Sequence, residues 1–121
     1  MQHFTELRVW QRAHALVLAV YRLTESLPSS ERYGLTAQLR RAATSVPTNI
    51  AEVSKRRSGQ DYARFLNIAE GSVAELEYLL MLSRDLAYLG QEQAAPLLDE
   101  TSELSRMLHA LRVKVEQGAL A

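Results

Sequence analysis

Residues 38–58 read QLRRAATSVPTNIAEVSKRRS, with a proline in the middle and cations toward both ends. Leu39 is set at zero and each residue advances about 100°. Leu39, Ala42, Ala43, Val46, Ile50 and Val53 then fall within about 60° of one direction. The apolar stripe keeps its phase across Pro47, so the spacing predicts one helix, kinked at Pro47, in preference to two. An interior proline removes one backbone bond and crowds the carbonyl of residue i−4, here Ala43, at about 3 kcal/mol or more. A bend that fits the helix around a core offsets that cost, with water or a side chain taking the freed carbonyl.

Three more helical stretches surround this one. The first covers about Thr5–Leu27: Leu7, Trp10, Ala13, Val17, Val20, Tyr21 and Thr24 repeat at helical spacing, and Pro28-Ser29-Ser30 stops them. Tyr33-Gly34 marks the break before the second, which runs from Leu35–Thr36 to about Arg57. Ser58 suits the N-cap of the third, with Asp61 three residues on as in a capping box. That helix reaches about Leu89, and Gly90 suits its C′ position. The fourth runs from about Glu92 to Gln117 and ends at Gly118, with Pro96 in or just beyond its first turn. Its stripe is Ala94, Leu97, Leu98, Thr101, Leu104, Leu108, Leu111 and Val115. Four amphipathic helices with short connections predict one all-α domain over residues 1–121, an antiparallel up-and-down four-helix bundle.

The third helix carries more apolar surface than a bundle face needs. Tyr62, Leu66, Ala69, Val73, Leu76, Leu80 and Ala87 lie within about 40° of one direction. Ile68, Leu79, Leu82 and Leu86 form a second strip about 100–160° away, with Gly71, Ser72 and Glu75 in or beside it. Either the helix is buried centrally or this strip meets another subunit. A simple four-helix bundle has no central helix, so Ile68, Gly71, Ser72, Glu75, Leu79, Leu82 and Leu86 are the expected interface of a homo-oligomer. Gly71 lowers helix stability by roughly 1 kcal/mol relative to Ala, which a close backbone approach there explains.

The chain has 121 residues, 47% hydrophobic and 23% charged, as in an ordinary globular domain. It has no cysteine, which excludes disulfides and thiolate chemistry and fits a cytoplasmic location. No apolar run is long enough to cross a bilayer, and no signal-peptide pattern opens the chain. His3, His14 and His109 are scattered, and no Glu-x-x-His, His-Glu-x-x-His, phosphate-loop or Gly-x-Ser-x-Gly motif occurs. No catalytic residue, metal site or cofactor is therefore expected. Glu70, Glu75 and Glu77 read as a solvated or ion-paired face. Trp10, Tyr21, Tyr33, Tyr62 and Phe65 read as packing at the core or its ends.

Net charge is zero but unevenly spread. Residues 31–64 carry six Arg and one Lys against three acids, a net of +4. Residues 65–121 carry four cations against nine acids, a net of −5. Arg40, Arg41, Lys55, Arg56, Arg57 and Arg64 are the candidate contacts to nucleic-acid phosphates. The bland reading stands beside this one. Cations gather at helix C-termini because of the dipole alone, and these six can equally pair with the acidic half of the same or a neighbouring chain. Gln38, Ser45, Asn49, Glu52 and Arg56 share one flank of the second helix, suited to a ligand or a subunit contact.

The runs QLRRAATSVPTNIAE and FLNIAEGSVAELEYLL, with Arg56 and Ser58 between them, carry a resemblance. So do the opening LRVWQRAHALVLAVYRLTESLP and the ERYGL before the second helix. Over about residues 4–112 the chain resembles the small four-helix-bundle proteins encoded in intervening sequences of bacterial 23S ribosomal RNA genes. It departs from that pattern after Glu52, where Val53, Ser54, Lys55 and Arg56 replace a Gly-x-Gly-Arg run. The resemblance implies a homo-oligomer, commonly a ring-like pentamer. A related branch, the accessory variability protein of diversity-generating retroelements, partners a reverse transcriptase and binds nucleic acid through basic surfaces. The expected function is thus a non-enzymatic, homo-oligomeric bundle. It binds RNA or DNA, or a nucleic-acid-processing partner such as a reverse transcriptase, and does not associate with membranes. The alternative is a structural assembly or protein-interaction module with no nucleic-acid role.

Overall fold

Pro47 lies inside one uninterrupted helix, Leu35–Val53 (α2). The structure is a computed structural model and describes residues 3–56 and 58–118. The other helices are α1 (Arg8–Thr24), α3 (Gly59–Asp85) and α4 (Gln91–Glu116), with short 3-10 turns at Phe4–Glu6 and Ser29–Glu31. Among the described residues there is no strand. The predicted stripe of α2 is its buried face: Leu39, Ala42, Ala43, Val46, Pro47, Ile50 and Val53 are all buried. Side chains around the proline bond back to the helix. Thr44 Oγ1 donates to the Arg40 carbonyl (3.0 Å), Thr48 Oγ1 to Thr44 (2.7 Å) and Asn49 Nδ2 to Ser45 (2.8 Å).

The four helices pack against each other around Leu39, Ile50, Leu66, Leu76, Leu80, Leu104 and Leu108, which are fully buried. α3 packs closely on both α2 and α4; α1 packs on α2 and less extensively on α4. Among the described residues, the pairs α1–α3 and α2–α4 make no close backbone approach. α3 therefore spends a wide arc on two neighbours. Its buried residues, Leu66, Ala69, Ser72, Val73, Leu76, Leu79, Leu80 and Ser83, span about 140° of the helix.

Helix ends differ from the sequence expectation in instructive ways. α1 starts at Arg8, because Leu7 is extended (φ −74°, ψ 127°) and separates it from the 3-10 turn. It stops at Thr24, whose hydroxyl bonds back to the Val20 carbonyl at 2.7 Å. α2 stops at Val53, where Ser54 Oγ takes the Ala51 carbonyl at 2.7 Å. Ser58 does cap α3, accepting from Asp61 N at 3.1 Å. Gly90 does not end α3. Ala87 takes the left-handed conformation (φ 63°), with Ala87 N–H on the Arg84 carbonyl and Tyr88 N–H on the Ser83 carbonyl. Gly90 is instead the N-cap of α4, and its N–H donates to Gln93 Oε1 at 2.9 Å. Glu31 links two connections: it accepts from Leu35 N (3.1 Å) and from the Tyr88 hydroxyl (3.1 Å).

Candidate interaction surfaces

The predicted cations do not form one patch. Arg40 and Lys55 are fifteen residues apart on and just past α2, about 22 Å along a helix axis. Arg40 is a structural pin: Nε donates to Thr24 Oγ1 (2.9 Å), Nη2 to the Tyr21 carbonyl (3.3 Å), and the guanidinium covers the Tyr21 ring at 4.5 Å. It holds α2 to the end of α1, so its charge is already engaged. Arg56 pairs with Glu52 at 2.5 Å and lies 4.5 Å over the Phe65 ring, with Nε buried and unpartnered among the described residues. Arg64 covers the same ring, also at 4.5 Å, and sits 3.5 Å from Asp61. Phe65 thus seats two guanidiniums, each beside its own carboxylate. Arg41 and Lys55 are exposed and make no ion pair among the described residues. Arg57 lies outside the described residues.

The outer side of α3 presents the strip expected at a subunit contact, with changes of membership. Ile68 is 42% exposed and Leu86 49%, while Gly71 and Glu75 are exposed and Leu82 is half-buried. Leu79 is only 5% exposed within the single chain, and Ser72 is buried with its hydroxyl 2.7 Å from that of Ser45. The arc that α3 spends on α2 and α4 reaches far enough round to take both inward, which corrects their place in the exposed strip. Tyr78, 60% exposed, joins it instead, while Met81, also exposed, lies about 140° round the helix from Ile68. A Cβ added at Gly71 would meet nothing within 4 Å, so among the described residues the space where its side chain would stand is open.

Open grooves flank α1, and the larger ones lie on either side of it. One, of about 530 Å³, lies between α1 and α4 and is crossed by ion pairs. Arg12 binds Glu100 through both Nε and Nη2, and its Nη1 lies 3.8 Å from Glu103. The Glu100 hydrogen bond raises the Arg12 pKa, and the Arg106 hydrogen bond lowers that of Glu103. The other, of about 440 Å³, lies between α1 and α2, with Phe4, Trp10, His14, Thr48 and Lys55 in its walls. Between α3 and α4, Glu70 accepts from Arg112, whose pKa that bond raises, and lies 3.6 Å from His109. Glu70 is therefore the ion-paired carboxylate that its position on α3 suggested. Among the described residues no three His, Asp or Glu side chains converge as metal ligands. No helix among them is long and apolar enough to cross a membrane.

The ring ladder in the second groove was missed from sequence. His3 stacks on Phe4 (4.5 Å), Phe4 meets Trp10 edge-on (5.2 Å), and Trp10 stacks on His14 (5.1 Å, 10° between planes). Its signal was the four-residue spacing of Trp10 and His14.

Residues 5–110 match the family described as 23S rRNA-intervening sequence protein. No curated protein matches the chain. Among solved structures it is similar to a protein of unknown function from the S23 ribosomal protein family of Bacteroides thetaiotaomicron VPI-5482. The two are 25% identical, with a TM-score of 0.80, over 86% of this chain and 97% of that one. The match spans nearly the whole helical region, and the chain belongs to the 23S rRNA-intervening sequence protein family.

Proposed function

We propose that the protein is a non-enzymatic, homo-oligomeric bundle, its helices running up and down and α2 bent at Pro47. It assembles through the outer side of α3 and offers basic surfaces to nucleic acid or to a partner that processes nucleic acid. One observation carries this reading: Ile68, Tyr78 and Leu86 stand exposed along the outer side of α3 and its C-cap, beside a glycine whose added Cβ would meet nothing within 4 Å. Burying that strip against a second copy removes apolar surface from water, at about 25 cal/mol per Å². Assembly then repeats Arg41 and Lys55 around one particle, which multiplies a weak single-chain patch.

A structural assembly with no nucleic-acid role is the second reading. It is favoured by Arg40, Arg56 and Arg64, whose charges are engaged within the chain. The Ile68→Glu/Leu86→Glu double variant separates the claims. The proposal expects its mass to fall to that of one chain and its retention of RNA, salt-sensitive in the wild type, to fall with it. Assembly unchanged by the two glutamates refutes the interface. A wild-type oligomer that ignores RNA at low salt leaves the structural reading in its place.

A further inference from the structure

The groove between α1 and α2 combines three features that bundle packing does not require. The first is the ring ladder. Trp10 is half-buried and stacks at 10° on His14, which is exposed and contributes little to the core. The second is the facing wall. Thr44 and Thr48 on α2 and Lys55 just past its end line the same side of the groove, and the two threonine hydroxyls donate to their own helix, leaving their oxygens able to accept. The third is charge. Of the candidate cations described, the two whose side chains make neither an ion pair nor a hydrogen bond among the described residues are Arg41 and Lys55. Lys55 lines this groove, and Arg41 lies one turn before Thr44 on α2. Glu52 at the rim already pairs with Arg56 at 2.5 Å.

A flat aromatic face beside a track of free cations is the chemistry that binds a polynucleotide with unstacked bases. A duplex hides its base faces and offers only phosphates. We infer that the α1–α2 groove is a single-stranded nucleic-acid subsite, in which a base stacks on His14 over Trp10 and Lys55 and Arg41 contact phosphates. The inference rests on the proposed nucleic-acid reading, and it moves the site away from the Arg56–Phe65–Arg64 corner.

Trp10 is the sole tryptophan, so its fluorescence reports on the groove. Full-length protein is titrated with single-stranded U12 RNA, single-stranded dT12 and a 12-base-pair duplex, with both Trp10 emission and the anisotropy of labelled strands recorded. Either single strand quenches Trp10, and the one bound more tightly says whether the 2′-hydroxyl is read. His14→Ala weakens binding by about fivefold or more, the low end for loss of one stacked base. Lys55→Gln weakens it and lowers the salt slope by about 0.7, the share of one single-strand phosphate. Lys114→Gln, on α4, changes neither. His14 and Lys55 are exposed, so these variants keep the fold, checked by circular dichroism. Duplex bound as tightly as single strand overturns the inference. So does binding that Arg64→Gln weakens while His14→Ala does not, though that result keeps the nucleic-acid reading. Wild-type protein that binds none of the three overturns both.

Discussion

Gly71→Ala is expected to act in opposite directions on the single chain and on the proposed assembly. Gly71 lies near the middle of α3, and an added Cβ meets nothing within 4 Å of the same chain. The new methyl causes no internal clash, so the helix gains the difference in propensity between Gly and Ala, about 0.8–1.0 kcal/mol. For a domain near 120 residues that raises the midpoint of thermal unfolding by about 3–5 °C, read at a dilution where copies are separate. Gly71 also stands beside Ile68, Glu75 and Tyr78 on the outer strip. If a neighbouring copy approaches its backbone, the methyl holds the two apart and weakens association. Urea or thermal unfolding at low concentration reads the first effect; sedimentation across a concentration series reads the second. A stabilised chain with unchanged association removes Gly71 from any subunit contact. A destabilised chain at low concentration contradicts the open space above it.

Ala87→Gly should stabilise the chain, because Ala87 is held at φ 63° and exposed. Relief of about 1–2 kcal/mol of left-handed strain, less about 0.5–1 kcal/mol of added glycine entropy, leaves a net gain of about 0.5–1 kcal/mol in urea unfolding. The Tyr88 pKa is raised above its ordinary 10.0, first by the hydrogen bond to Glu31, then by desolvation and the Glu31 charge. A raised folded pKa contributes stability that is complete below 10 and is lost as pH climbs through the folded value. Wild type should therefore exceed Tyr88→Phe in stability by a steady margin between neutral pH and pH 10, and the margin should shrink above it. Leu76→Ala, at a fully buried position, should cost about 2–5 kcal/mol in the same assay.

Periodicity made the four helices legible, because each stripe is long and keeps phase. Leu39 through Val53 kept phase across Pro47, and that stripe is the buried face of α2. The ends were less legible, because local bonds decide them. Nothing about Ala87 marks it for a left-handed turn, so the reversal after α3 was placed three residues late, at Gly90. The outer strip was half-readable. A helical wheel separates Leu79 from Leu76 by angle alone and cannot know that α3 covers two neighbours, which draws Leu79 and Ser72 inward. The cations were readable as residues but not by state. Arg40 reaches Thr24 and Tyr21 across sixteen and nineteen positions of sequence, contacts that no spacing announces. The aromatic groove was hidden for the same reason: Pro47 and Lys55 face Trp10 only once α1 and α2 pack.

Sedimentation equilibrium of the wild-type chain at micromolar concentration, at low and high salt, tests assembly through α3 most directly. The account predicts a discrete particle several times the 13.6 kDa chain mass, held chiefly by apolar contact and so persistent at high salt. A single species at 13.6 kDa under both conditions would contradict it.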